Sequence, residues 1–381
     1  MRLLLVVPRL GMEPSGNVIP GGLENVGRCI ARALASSPDI TKLGVFSLSD
    51  ECTAEPIITQ MIQAYRHNDL ELSVRAFDGG RTALTFSMAE VSLFRSYEYV
   101  MYVLINQAVL SLLPFHPPYA IWEIGIEVFQ PLSFWKRHAL NNAHTLLSIS
   151  HNTTQVARRL NPTLKEAKVV HLAVEPPLMG LDSDGDQQAV APYDPSQRKR
   201  AILIVGSMYR SMLYKGHREL IAAWPQVVKI FPDAELWIVG WGDGRVDIEE
   251  QAYSLEKQVQ QRILFLGRLE DEELQDRFRT CRAFAMPSTG EGFGLVFVEA
   301  ARQALPSIGG RHDSVKEIIV DNETGILVEQ SPDDIARACI SLLKDDELAR
   351  RMGQAARQRY LDYFQFKHFR ARLLDALGLR S

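Results

Sequence analysis

The chain has 381 residues, enough for two domains with sizeable cores, and its 46% hydrophobic and 23% charged content is that of a soluble globular protein rather than a disordered or polytopic one. Its 42 basic and 46 acidic residues give a formal charge of −4, divided as 15 and 15 up to residue 180 and 27 and 31 beyond it. Neither half carries the basic excess that drives binding to nucleic acid, so no nucleic-acid partner is expected.

Cys29, Cys52, Cys281 and Cys339 form no CxxC pair, which disfavours a zinc cluster or disulfide framework and fits a reducing cytoplasm. The apolar run Leu3–Val7 is too short for a signal-peptide core and reads as a buried first strand. A loop rich in Gly and Pro follows. A helix then starts near Leu23, with Leu23, Val26, Ile30, Ala33 and Leu34 on one face. Further strands are predicted at Gly44–Leu48, Leu72–Ala76, Tyr119–Ile124, Thr145–Ile149 and Lys168–His171. The uncharged stretch Tyr99–Phe115 reads as a largely buried helix, with membrane contact as the alternative.

Leu181 to Lys199 has no periodicity and reads as a linker. The alternation restarts with strands at Ala201–Val205, Glu235–Val239, Ile263–Leu266, Ala283–Met286, Ser307–Ile308 and Gly325–Val328, and a helix at Glu219–Ile230. The tail from Asp333 is predicted to be helical. The expectation is therefore α/β throughout, with mainly parallel sheets: a first domain at 1–180, a linker at 181–199 and a second domain at 200–363. Two such halves normally hold a ligand at the carboxyl ends of their strands.

The stretch Pro287–Glu299, PSTGEGFGLVFVE, carries the most chemistry. A strand ends at Met286, a glycine turn bears Glu291, and a helix over Val296–Ala304 places Glu299 near its first turn. Such a turn offers backbone N–H groups to an anion. Two carboxylates beside it would repel a phosphate, so they suit neutral hydroxyls: a ribose diol for Glu299 and a sugar for Glu291. The alternative is a helix-dipole charge at Glu299 and a plain loop charge at Glu291.

EGFGLVFVEA, with seven residues between Glu291 and Glu299, resembles the signature of retaining family 4 glycosyltransferases of the GT-B fold. VGSMYRSMLYKGHRELIAAWP, ELWIVGWGDGR, ILFLGRLEDEEL and TGILV are similar to that family's donor-domain landmarks, in order. GIEVFQP, LLSISHNTTQVARRL and PGGLENVGRCIARAL resemble its acceptor-side elements. The resemblance is dense over about Ile202–Val328 and looser before residue 118. It implies two Rossmann-like domains facing a central cleft, with the C-terminal helix (364–381) packing back on the first.

At matching positions the resemblance implies that Glu299 holds the nucleotide ribose and Glu291 a donor-sugar hydroxyl. Gly292 and the N–H groups of Phe293, Gly294 and Leu295 would support sugar and diphosphate. Lys215 and Arg210 would neutralise the departing diphosphate, beside Gly206 and Ser207. Arg268 and Leu269 would edge the base. Gly21 and Gly22 would let a helix start approach a phosphate. With side chains supplying the charge, neither a metal nor a cofactor is expected.

Two departures stand out. The family usually has Arg directly after the glycine where Ser207 follows Gly206. It often has a histidine where Ile124 precedes GIE. That histidine is usually placed near the reacting sugar, so Glu123, Glu127 or His151 would replace it, or the enzyme would be weaker; acceptor positioning or a structural role is open for Glu127, and a surface role for His151. Asp182, Asp184 and Asp186 lack the Gly and Glu of an EF-hand. Gly240, Gly242 and Gly244 are spaced GxGxG, not as a dinucleotide fingerprint.

The resemblance implies transfer of a hexose, with retention, from a UDP- or GDP-sugar to an acceptor hydroxyl. It places the enzyme in bacterial polysaccharide or other surface glycan assembly. The acceptor would be a glycan or lipid-linked glycan, and the enzyme cytoplasmic, with peripheral inner-membrane contact left open. The alternatives are a sugar-nucleotide epimerase of the same fold and a non-catalytic nucleotide-binding protein.

Overall fold

The computed structural model describes residues 1–19, 21–67, 69–175 and 193–380. The chain divides into two compact units, residues 1–188 with 364–381, and residues 189–363. Each is built on its own parallel sheet.

In the first unit the strands are β1 (Arg2–Val7), β2 (Lys42–Ser47), β3 (Glu71–Ala76), β4 (Tyr99–Tyr102), β5 (Tyr119–Glu123), β6 (Thr145–Ser148) and β7 (Lys168–Val169). They lie in the order β3-β2-β1-β4-β5-β6-β7. β1 sits centrally, paired with both β2 and β4, and its Leu3–Val7 side chains are fully buried. A continuous apolar run is what a parallel strand covered on both faces requires. At the edge, β3 alternates between more exposed and less exposed residues along most of its length.

The stretch read as one buried helix at Tyr99–Phe115 is instead β4, a short helix at Ile105–Ala108 and a 3-10 turn at Val109–Leu112. Three of its first four residues, Tyr99, Val100 and Tyr102, are aromatic or β-branched and fit a pleated surface, and the four pair in register with Leu3–Val6. The closing helix Phe366–Leu377 belongs to this unit, with Phe369 stacked 6.4 Å from Trp122 and Arg370 donating to Ser36.

In the second unit β8 (Ala201–Val205), β9 (Glu235–Val239), β10 (Ile263–Gly267), β11 (Ala283–Met286), β12 (Ser307–Gly310) and β13 (Gly325–Val328) are ordered β10-β9-β8-β11-β12-β13. Most of the stretch read as a linker, with its three aspartates, lies outside the described residues. Its end does not behave as a linker. Tyr193 is buried, donates to the Arg282 carbonyl at 2.6 Å and lies under the Arg198 guanidinium, so these residues pack into the second unit.

Candidate functional site

From β8 the second sheet grows outward through β9 to β10, then resumes at β11 on the opposite side of β8. The two loops that leave the carboxyl ends of β8 and β11 therefore diverge at a topological switch point, where open α/β sheets hold ligands. One loop ends in the 3-10 turn Arg210–Lys215 and passes through Gly216, at φ +87°, into the helix His217–Ile230. A side chain at Gly216 would meet the Pro287 carbonyl at 2.6 Å, so the glycine lets the two loops touch. Thr289 N–H donates to the Tyr214 carbonyl at 3.0 Å, and the Gln330 amide donates to both the Tyr214 and Pro287 carbonyls.

Held this way, Lys215 Nζ and Glu291 Oε1 lie 2.5 Å apart, with side chains 13% and 12% exposed. Gly292, Phe293 and Gly294 follow, the last at φ +93°, and Leu295 opens the helix Leu295–Arg302. This helix is shorter than the span predicted to Ala304. Glu299 lies one turn inside it. Burial pushes its carboxyl up to about 7, the nearby Asp271 charge adds to the rise, and Arg302 opposes it. Asp271 begins the helix that follows Arg268 and Leu269, so the loop after β10 borders Glu299.

The remaining sequence candidates are placed differently. Gly206 abuts the Lys215 side chain and His217. Ser207 Oγ donates to Met212 Sδ at 2.9 Å. Arg210 is exposed, its guanidinium held on Asp247 by two 3.2 Å contacts and its N–H on Asp243 at 2.8 Å, rather than on the Lys215–Glu291 pair. The GxGxG run also has a packing purpose. A side chain at Gly240 would fall 1.9 Å from the Gly206 carbonyl oxygen, so these glycines let the loop after β9 press on the loop after β8.

Sequence reasoning passed over two buried groups here. His217 is driven down to about 4 by burial and by Lys215, so it is neutral at ordinary pH. Asp313 and its neighbour Ser314 follow β12 and reach the Glu291 loop. No local pattern marks either one, because each gains its meaning from a strand distant in sequence.

In the first unit the switch point lies between β1 and β4. Glu123 ends β5, and Glu127 sits in the 3-10 turn Ile126–Val128 just past Gly125. Glu127 Oε2 accepts from the Ile105 N–H at 3.2 Å. Among the described residues, the buried Glu123 Oε2, Glu127 Oε1 and both amide atoms of Gln107 have no hydrogen-bond partner. Burial pushes Glu123 up to about 8, with the Glu127 charge adding to it, and pushes Glu127 up to about 7. His151 opens the helix His151–Leu160 behind a Ser150 cap, its ring 5.7 Å from that of His171. Gly21 and Gly22 start the helix Gly22–Ala35, where the Glu24 carboxylate folds over Gly21.

A pair of parallel α/β sheets, with a cation–carboxylate pair and a glycine turn at the second sheet's switch point, defines the GT-B class of fold. Solved structures agree: Anabaena Alr3699/HepE, determined with UDP and glucose, superposes with a TM-score of 0.68 at 17% identity over 99% of each chain. Residues 191–359 match the family described as glycosyl transferases group 1. A GDP-mannose-dependent alpha-(1-6)-phosphatidylinositol monomannoside mannosyltransferase from Mycolicibacterium smegmatis is 32% identical over 185 residues, 46% of this chain and 48% of the relative. An N-acetyl-alpha-D-glucosaminyl L-malate synthase from Bacillus anthracis is 26% identical over 238 residues, 60% of this chain and 58% of that protein. The chain spans about half the length of the mannosyltransferase relatives it matches.

Proposed function

We propose that the chain is a retaining, metal-independent hexosyltransferase of family 4 type, using a UDP- or GDP-sugar and building a bacterial surface glycan or glycolipid. The observation that carries this reading is the Lys215–Glu291 pair at the switch point beside a glycine-opened helix. In the reaction the bond between the anomeric carbon and the diphosphate oxygen breaks, and the nucleoside diphosphate leaves with the electron pair. Lys215 and the N–H groups at Phe293–Leu295 meet the charge that develops there, which is where preorganised donors lower a barrier.

Glu291 is thereby freed to accept a donor-sugar hydroxyl, and Glu299 accepts from the ribose. The acceptor oxygen bonds to the anomeric carbon from the departing side, and its proton passes to the leaving phosphate. Since Lys215 supplies the charge, transfer continues in EDTA. Glu123, raised to about 8, suits hydrogen bonding to acceptor hydroxyls as the neutral acid, with Glu127 and His151 as further groups on that unit.

The relatives named as GDP-mannose-dependent support GDP-mannose as the first donor to try. The phosphatidylinositol in their names supports a lipid-linked acceptor. A surface of the first unit agrees. The helices Arg81–Phe94 and Phe134–Asn142 share one core beneath them, and Phe86, Leu93, Phe94, Phe134 and Trp135 stay exposed on their outer sides. Arg81, Arg95, Lys136 and Arg137 neighbour them in sequence, a composition suited to an anionic lipid surface. No helix among the described residues is long and apolar enough to cross a membrane, so such contact would be peripheral.

The test is calorimetry of UDP, GDP, ADP and their sugar conjugates in EDTA, across pH 6 to 8, with Glu299→Ala as control. One nucleotide binding tightly is expected, lost in Glu299→Ala. Because a carboxyl at about 7 must ionise to accept two hydroxyls, affinity should rise toward pH 8 in the wild type only. No binding anywhere in the panel would overturn the reading in favour of a non-catalytic protein.

A further inference from the structure

The Lys215 ammonium meets the Glu291 side chain, but the backbone of Glu291 is held by other residues. Asp313 Oδ2 accepts from the Glu291 N–H at 3.0 Å and from Ser288 Oγ at 2.6 Å. Asp313 Oδ1 accepts from the Val315 N–H at 3.0 Å. The next residue completes the hold, since Ser314 Oγ donates to the Glu291 carbonyl at 2.7 Å. Thus both the N–H and the carbonyl of Glu291 are gripped by consecutive side chains from the far side of β12. Asp313 is 1% exposed, and Ser288 and Ser314 are fully buried. The backbones converge as well: a side chain at Gly310 would fall 1.7 Å from the Ser288 carbonyl oxygen, so only glycine permits the approach.

A buried carboxylate is costly unless each of its lone pairs finds a donor. Here three donors converge on one carboxylate, and they fix the peptide plane that carries Glu291. Neither Asp313 nor Ser314 lies on the Lys215–Glu291 contact itself. We propose that Asp313 and Ser314 are positioning residues for Glu291, clamping its backbone so that its carboxylate meets the donor sugar at a fixed place. The inference rests on the transferase reading, and it assigns to this clamp the part of donor affinity that comes from the sugar rather than the nucleotide.

The groups that face Asp313 set how the clamp responds to acid. Burial and the Glu291 charge raise its carboxyl to about 6, while Ser288 and the two N–H groups oppose that rise. Tyr214 faces both carboxylates, its hydroxyl pushed well up by burial and by their charges, so it stays neutral. Lys215 lies beyond Glu291, paired to it. Below about pH 6 Asp313 takes up a proton, one of its oxygens turns from acceptor to donor, and the grip on Glu291 loosens.

The experiment compares wild type, Asp313→Asn and Ser314→Ala for binding of a nucleotide sugar and of its free nucleoside diphosphate, together with kcat, KM and thermal melting. Asp313→Asn is expected to lose the affinity that the sugar adds, about ten-fold, while the diphosphate binds as before. Its kcat should fall further than its KM rises. Ser314→Ala removes only the carbonyl contact and should change both in the same direction by less, which keeps the test open should Asp313→Asn fail to fold. The wild-type decline in kcat below about pH 6 should vanish in Asp313→Asn. Unchanged sugar affinity in both variants, or equal loss of sugar and diphosphate binding, would overturn the clamp while leaving the transferase reading intact. Wild type that binds no nucleotide would overturn both.

Discussion

The carboxylates at the second unit's switch point and at the carboxyl end of β5 in the first are treated in opposite ways. In the second unit, Glu291 has a cation at 2.5 Å and a backbone pinned on both sides. In the first, Glu123 and Glu127 each have, among the described residues, one buried carboxylate oxygen without a hydrogen-bond partner, and burial pushes both toward the neutral acid, with the Lys136 charge opposing the rise at Glu127. A paired carboxylate is set to exchange its partner for a ligand, since the cation it gives up is also wanted by an incoming diphosphate. A neutral acid is set to share hydrogen bonds with hydroxyls. The contrast is what the proposed donor site in one unit and the proposed acceptor site in the other would require.

Removing the cation should have the largest effect. Lys215→Met leaves Glu291 largely buried without its partner and strips the diphosphate of its principal counter-charge. Transfer should fall about 10²- to 10³-fold, the size of effect seen when one preorganised charge-stabilising group is lost. The melting midpoint should fall too, and Lys215→Met combined with Glu291→Gln should recover the midpoint but not the rate. Initial-rate measurements and thermal melting of the two variants decide it. A rate loss under about ten-fold would break the contrast, because the pair would then be structural.

The first unit makes a subtler prediction, read in stability. Glu123 moves from an ordinary carboxyl value of 4.5 to about 8 on folding, so the fold favours its neutral form. Its contribution to stability is complete below about pH 4.5 and is lost as pH rises through about 8. Glu123→Gln keeps the shape and removes the titration. Its melting midpoint should match wild type near pH 5 and exceed it by a few degrees near pH 9. A midpoint difference that does not vary with pH would mean the carboxyl is not held neutral.

The same contrast explains what was legible in the sequence. β1 and β8 announce themselves as apolar runs because both their faces are covered. Glu291 and Glu299 could be read because a strand end, a glycine turn and a helix start are contiguous in the chain. β4 was hidden inside a longer apolar stretch, where length favoured a helix and only pairing with β1 decides for a strand. Asp313 could not be read at all: its three donors come from Ser288, Glu291 and Val315, and two of those lie over twenty residues away. The neutrality of Glu123 was equally hidden, since it depends on burial beneath elements that its neighbours in sequence do not supply.

Arg210 gives the smallest expected effect and the sharpest check on reading a site by motif order. By its place before Lys215 it would join the diphosphate cluster. In the structure its guanidinium spans Asp247, its N–H is on Asp243, and its side chain is 65% exposed. An exposed pair of this kind contributes little to stability, since water screens the charges and two long side chains must be ordered to form it. Arg210→Ala should therefore leave the melting midpoint nearly unchanged and lower transfer by less than roughly three-fold, as measured by kcat/KM at saturating acceptor. A loss approaching that of Lys215→Met would mean that Arg210 leaves Asp247 when the donor binds. Asp247→Ala would then lower the barrier to that exchange and tighten nucleotide binding, whereas with Arg210 held where it is, Asp247→Ala leaves binding unmoved.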